Sequence, residues 1–217
     1  MPDRQASGKP RLRGVSHQWA CLCTVPLGVA LVVAAGSARA RIAVTAYAAS
    51  LVALFGVSAL YHRVNWRSVS ARRWMRRLDH SMIFVLIAGT YTPFALLALH
   101  GPLALAILIV VWAGALSGVL FKLVWINAPK WLVVVVYIAL GWVAMAAVPQ
   151  LLAAIGVGGL TLLGLGGLLY TLGAVIYAVK RPDPVPAVFG YHEVFHLIVI
   201  VAAALQYAVI AFWVLPH

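Results

Sequence analysis

Long apolar runs constrain this chain more than any other feature of its sequence. A run of about 20 apolar residues can cross the hydrocarbon core of a bilayer as one helix, and such runs recur along all 217 residues. Hydrophobic residues make up 65% of the chain and charged residues only 9%. Since helices satisfy their own backbone hydrogen bonds in lipid, the sequence predicts an all-α integral membrane protein.

The apolar runs predict a seven-transmembrane helix bundle. Its spans are expected at about 18–38, 43–62, 79–99, 102–122, 131–149, 151–179 and 190–215. This divides the chain into a basic cytoplasmic tail, residues 1–17, and a single seven-helix transmembrane domain, residues 18–217.

Three features within the spans predict departures from straight helices or close helix contacts. Pro93 should kink the third span. The glycine-rich start of the sixth span, 153–159, is expected to be tilted or partly non-helical. Gly114 and Gly118 permit close approach of another helix, and within a bundle this pattern indicates internal packing more often than dimerisation.

The basic residues predict the orientation. Fourteen of the sixteen Lys and Arg residues fall in the N-terminal tail and in the connectors between spans two and three, four and five, and six and seven. Only Arg39 and Arg41 fall on the other side. Because basic connectors stay in the cytoplasm, we expect a cytoplasmic N-terminus and an outer C-terminus in a multi-pass protein of the bacterial inner (plasma) membrane. This distribution explains the net charge of +12 without a nucleic-acid partner.

Polar groups recur at the predicted cytoplasmic ends of three spans. These ends carry Ser58, His62, Asp79, His80, His192, Glu193 and His196. His192 and His196 belong to an H-E-x-x-H motif, in which two imidazoles share one helix face and can hold one metal ion. Ionisable groups are costly in lipid and usually functional, so we predict an intramembrane metal centre.

Some of the polar residues also have explanations that involve no metal. Asp79 is close in sequence to the basic segment 72–77, so its carboxylate could be a structural ion-pair partner. His17, His100 and His217 stand alone near the ends of spans, and we interpret them as interfacial residues rather than ligands.

Four ordered motifs resemble the haemolysin III family, the bacterial branch of the progestin and adipoQ receptor superfamily, which includes the adiponectin receptors. The motifs are the segments Ser58–His62, Arg77–Phe84, Ala88–Phe94 and Tyr191–His196. The resemblance implies seven transmembrane helices, a cytoplasmic N-terminus and a zinc ion near the cytoplasmic face.

The same resemblance implies a role for each candidate site residue. The zinc ligands of the family fall on His62, His192 and His196, and its aspartate, which holds a zinc-bound water, falls on Asp79. The serine of its S-x-x-x-H motif falls on Ser58. The chain departs from many relatives at Gln206, where they have a histidine, but this position is about three turns from His192.

Three protein ligands with an open fourth position are typical of catalytic zinc, which activates water and polarises a carbonyl. We expect Asp79 to take a proton from that water and Ser58 to donate to the developing oxyanion. Glu193 is the rival base, since the glutamate of this motif has that role in soluble zinc proteases.

The sequence therefore predicts a zinc-dependent membrane hydrolase acting on a lipid amide or ester. Ceramide-like substrates are what the eukaryotic relatives of the family imply. Two alternatives stay open: a sensor or receptor with a structural zinc, and a pore-forming haemolysin-like protein. No span shows the continuous polar stripe that a pore requires.

Overall fold

The computed structural model describes residues 9–216, which fold into a helical bundle. Residues 1–8 of the predicted tail and His217 lie outside this part. The helices are α1 (Val15–Ala34), α2 (Ala38–Arg63), α3 (Val69–Pro93), α4 (Gly101–Val124), α5 (Lys130–Gly141), α6 (Val148–Val179) and α7 (Tyr191–Val209). The described residues thus confirm the predicted all-α class.

Six helical stretches in this part of the chain are long and apolar enough to cross a membrane. One of them, Lys130–Val179, is 50 residues long and includes both α5 and α6. The chain is therefore a multi-pass membrane protein, as the sequence predicted.

The Lys130–Val179 stretch is not one straight helix. A 3₁₀ turn, Trp142–Ala147, follows α5, and Gly156 interrupts α6 with φ 64° and ψ −178°. Only glycine adopts this conformation readily. The chain is helical through the predicted boundary near residue 150, and the interruption lies instead in the glycine-rich segment that was expected to be partly non-helical.

The two parts of this stretch pack side by side. The Lys130 ammonium lies 4.7 Å from the ring centroid of Tyr177, and the Trp142 indole donates a hydrogen bond to Thr171 Oγ1 at 3.0 Å. Residues at the start of α5 therefore contact residues near the end of α6, which places the two helices antiparallel.

Local sequence explains where several helices begin and change course. Ser37 and Ser68 precede α2 and α3, and their hydroxyls accept hydrogen bonds from Ala40 N and Ala71 N, as N-caps do. Pro93 ends the regular part of α3, and a wider π-helical turn, Phe94–Ala98, follows it. Span three is thus altered at the predicted proline.

Glycines let helices approach closely within the bundle. A Cβ atom on Gly118 would overlap the Phe84 ring, and one on Gly114 would lie 2.7 Å from Leu140 Cδ1. Both contacts are internal, so the glycine pair serves helix packing within the bundle.

The first and last helices close the bundle. The Tyr207 hydroxyl on α7 donates to Leu27 O on α1 at 3.0 Å. We call the end where α2 finishes and α7 begins the histidine end, because His62 and His192 lie there.

Candidate metal centre

Three buried histidines meet at the histidine end. His62 is in the last turn of α2, and His192 and His196 occupy one face of the first turns of α7. One ring nitrogen from each lies within 4.8 Å of the others. The structure thus brings together the three predicted ligands from two segments that are far apart in sequence.

The chemistry of these nitrogens suits a bound cation. His62 Nε2 and His192 Nε2 are 3.1 Å apart, close to the roughly 3.3 Å between two nitrogens of a tetrahedral site with Zn–N distances of about 2.0–2.1 Å. His196 Nδ1 is buried and has no hydrogen-bond partner among the described residues. Such imidazole nitrogens bind zinc, copper, nickel or iron.

The beginning of α7 is fixed by Glu193. One carboxylate oxygen accepts a hydrogen bond from Gly190 N at 2.8 Å, and the other pairs with the Arg13 guanidinium. Asp183 adds a bond from Tyr191 N at 2.8 Å. Both oxygens of Glu193, the rival base, are therefore engaged in holding the helix start.

The segment before α1 covers this end of the bundle. Arg11 N and Leu12 N donate to Ala187 O and Val188 O, both at 3.1 Å, in the connector before α7. Gly14 follows with φ 79°, and a Cβ atom there would lie 2.6 Å from His62 Cβ. This glycine allows the backbone to pass directly over a candidate ligand.

His17 belongs to the site, so its interpretation as an interfacial residue is wrong. Its side chain is 3% exposed, its Nδ1 is 2.8 Å from Ser58 Oγ, and its ring stacks on that of His196. Sequence reasoning compared the polar ends of spans two, three and seven; the same comparison extended to the start of span one would have included His17.

Asp79 faces the same space as the histidines. It lines a central cavity together with Ser58, His192 and His196, and its Oδ2 is 3.3 Å from His80 Nδ1. Asp79 is the only acidic residue among the described residues that line this cavity. The described structure gives Asp79 no ion pair with the basic segment 72–77.

His80 has other partners. Its Nδ1 lies 2.9 Å from Arg76 O, and its Nε2 lies 3.1 Å from the Tyr177 hydroxyl. Both ring nitrogens are therefore occupied, and His80 is outside the group of three. His80 therefore contacts the Asp79 carboxylate but is not one of the candidate metal ligands.

The central cavity has a volume of about 230 Å³ and extends away from the histidine end. Its far part is lined mainly by apolar side chains, among them Phe94, Leu99 and Met145. Gln206 lies within this part, where its amide donates to Leu163 O at 3.2 Å. The site therefore combines a polar end with a long apolar extension.

The chain matches a known protein family and resembles several known proteins in sequence. Residues 6–207 match the family model described as "Haemolysin-III related". The chain is 32% identical to Hemolysin-3 of Bacillus cereus, over 93% of this chain and 90% of the relative. It is 33% identical to Hemolysin-3 homolog of Bacillus subtilis (strain 168), over 92% and 91%.

A human protein is also similar. The chain is 30% identical to monocyte to macrophage differentiation factor of Homo sapiens, over 74% of this chain and 66% of that protein. The similarity thus extends from bacteria to animals.

Proposed function

This chain belongs to the haemolysin-III family, and we propose that it is a zinc-dependent integral membrane hydrolase that acts on a lipid amide or ester. The observation that carries the proposal is a shared cavity: Asp79, Ser58, His192 and His196 line one space whose extension is apolar. A carboxylate, a hydroxyl and metal-binding imidazoles beside an apolar cavity are groups that a metal-dependent lipid hydrolase would use.

His62, His192 and His196 would hold the zinc ion. Their buried nitrogens suit it, and the neighbouring imidazole of His17 is directed to Ser58 instead. Zinc, when bound, supplies an activated water and polarises a carbonyl. With three protein ligands, a fourth position is left for water or substrate.

Asp79 is the proposed general base. Its carboxylate lines the cavity in which a substrate carbonyl would lie, and it can accept a proton from the attacking water at a side-chain oxygen. Glu193 is less suited, because Arg13 and Gly190 N already engage its two oxygens.

Ser58 is proposed to donate a hydrogen bond to the carbonyl oxygen as charge develops on it. His17 Nδ1 lies 2.8 Å from Ser58 Oγ, and in the tautomer that carries the proton on Nδ1 the ring donates to Oγ, which leaves the Ser58 hydroxyl hydrogen to donate to the carbonyl oxygen. His17 thereby acts as a positioning residue for Ser58.

The cavity indicates the substrate class. A volume of about 230 Å³ with apolar lining residues such as Ile83, Ile107 and Leu151 fits part of an acyl chain. We therefore propose a membrane lipid whose polar amide or ester lies at the histidine end; ceramide-like lipids have this form.

The proposed location is the inner membrane of a bacterium, with the histidine end in the cytoplasm. The bias of basic residues supports this orientation. Seven crossings are proposed, because α5 and the part of α6 after Gly156 run antiparallel. A straight 50-residue helix would be about 75 Å long, far more than the roughly 30 Å hydrocarbon core.

A direct test measures metal and turnover in one preparation. Protein purified in detergent would be analysed for metal content and incubated with long-chain amide and ester lipids, with and without a chelator. We expect hydrolysis that the chelator removes and added zinc restores. Zinc-loaded protein that turns over neither lipid class would contradict the hydrolase and support a sensor with structural zinc.

A further inference from the structure

A second cavity, of about 530 Å³, lies at the histidine end beside the central one. The two cavities share His80, Tyr177 and His192 as lining residues. Four cationic side chains line the second cavity: Arg13, Arg76, Lys122 and Lys130. Its described lining includes no aspartate or glutamate.

Lys122 is the most informative of these cations. It is 2% exposed, although it carries an ammonium group. Within residues 9–216 no carboxylate pairs with it, and the ring centroid of Phe121 lies 5.9 Å from Nζ. A buried charge is costly unless it is paired, so the cavity that Lys122 lines is the place for a counter-charge.

The other cations add to this charge. Arg13 is already paired with Glu193, but Arg76 and Lys130 have no acidic partner in the described part of the chain. Arg76 donates to Asn127, which also lines the cavity. A basic residue that only sets the orientation of the protein in the membrane has to lie in a connector. It does not have to be buried, as Lys122 is.

Backbone and hydroxyl groups complete the polar lining. The first residue of α5, Lys130, lines the cavity, and a helix N-terminus carries partial positive charge and free N–H donors. Tyr61 adds a hydroxyl group. A single carboxylate would leave much of this charge unbalanced, whereas a phosphate group carries about −1.5 to −2 charges and several acceptor oxygens.

We propose that this second cavity binds a phosphate group, with Lys122, Arg76 and Lys130 as its cationic ligands. The phosphate belongs either to the headgroup of an anionic lipid or to a free phosphate ion. Two of the candidate zinc ligands, His62 and His192, also line this cavity, so the phosphate would lie beside the proposed metal centre; its binding requires neither zinc nor turnover.

The test measures binding to protein purified in a maltoside detergent, which contains no phosphate. One arm titrates inorganic phosphate by calorimetry; the other measures retention of phosphatidic acid by native mass spectrometry, with diacylglycerol as the uncharged comparison. Lys122→Met removes the buried charge at similar length, and Lys180→Met removes an exposed charge that lines neither cavity.

We expect Lys122→Met to weaken binding about tenfold or more, the scale for a hydrogen bond to a charged group, and Lys180→Met to change it less than about twofold. Lys122-dependent binding of inorganic phosphate identifies the free ion as a ligand; binding of phosphatidic acid alone identifies the lipid headgroup. Should Lys122→Met fail to fold, Lys130→Met gives the same comparison.

Three results would overturn the proposal. One is the absence of binding in both arms. Another is an equal loss in the Lys122→Met and Lys180→Met variants, which indicates diffuse attraction to a basic surface. The third is binding that a chelator abolishes and Lys122→Met leaves intact, which places the phosphate on the metal.

Discussion

The imidazole of His17 lies parallel to that of His196, with the ring centroids 3.7 Å apart and 14° between the planes. This contact joins the first helix to a candidate metal ligand on the last. His17 also meets Ser58 through Nδ1, so one ring supports two parts of the site.

Separate variants test the two contacts of His17. His17→Phe keeps an aromatic ring on His196 but removes the nitrogen near Ser58; we expect zinc content to stay within about twofold and the hydrolytic rate to fall about tenfold. His17→Ala removes both contacts, and zinc affinity should fall roughly tenfold, as for other residues that orient ligands.

Chelator competition gives the zinc affinities for this series. Trp19→Ala, at a largely exposed position on the same helix, is the control and should leave zinc affinity and rate unchanged. Wild-type affinity in His17→Ala would show that the stacking contact does not support the site.

The metal prediction concerns stoichiometry. Purified protein should carry about one zinc per chain, since His62, His192 and His196 form one set of three ligands. His192→Ala should empty the site, whereas His100→Ala, at an exposed position near the opposite end of the bundle, should not. Elemental analysis of both variants decides this, and full zinc in His192→Ala would refute the ligand assignment.

The identity of the base is tested by two isosteric variants. Asp79→Asn keeps the shape of the side chain but cannot take a proton, so the protein should keep most of its zinc and lose about a hundredfold or more of its hydrolytic rate. Glu193→Gln should reduce the rate much less. The opposite ranking of the two rates would transfer the base to Glu193.

Glu193→Gln should have its main effect on stability. The amide oxygen can still accept from Gly190 N, but Arg13 loses its charge partner. We expect a loss of about 1–3 kcal/mol in the free energy of unfolding, seen as a lower thermal midpoint in detergent. An unchanged midpoint would show that the ion pair contributes nothing measurable.

Gly14 offers a test of how closely the N-terminal segment approaches the site. Gly14→Ala places a Cβ atom against His62 and strains a φ of 79°, so zinc affinity should fall. Gly101→Ala strains a similar φ of 66°, but nothing lies within 4 Å of the new atom. Equal effects of the two substitutions on zinc affinity would exclude a specific contact with His62.

Seven crossings predict which side of the membrane each connector reaches. In a background with Cys21→Ala and Cys23→Ala, Val157→Cys should react with an impermeant maleimide from outside the cell membrane, and Ser70→Cys only after permeabilisation. A reporter fused after His217 should likewise be active only as an outer-side reporter. A cytoplasmic readout from that reporter would reject the odd number of spans.

Residue spacing made part of the candidate site predictable from sequence. His192 and His196 share a helix face because they are four residues apart, and His62 joins them because span two ends at the same depth. The stacking of His17 on His196 is different: the start of span one lies at the same depth, but this contact depends on how α1 packs against α7, which no spacing within one helix records. The interruption at Gly156 was predictable in kind from the glycine-rich segment, but not in position, since several glycines there could adopt it.

The candidate metal ligands come from segments that are far apart in the chain, with His62 on α2 and His192 on α7 separated by 130 positions, and this has a consequence for biosynthesis. A chain made from its N-terminus presents His62 to the translocation machinery long before residues 192–196 have been synthesised. Until α7 has been synthesised, His62 is the only one of the three candidate ligands in the nascent chain. With the proposed ligand set, the ion would therefore be bound only once α7 is in place, and a chain terminated before residue 192 would lack two of the three ligands.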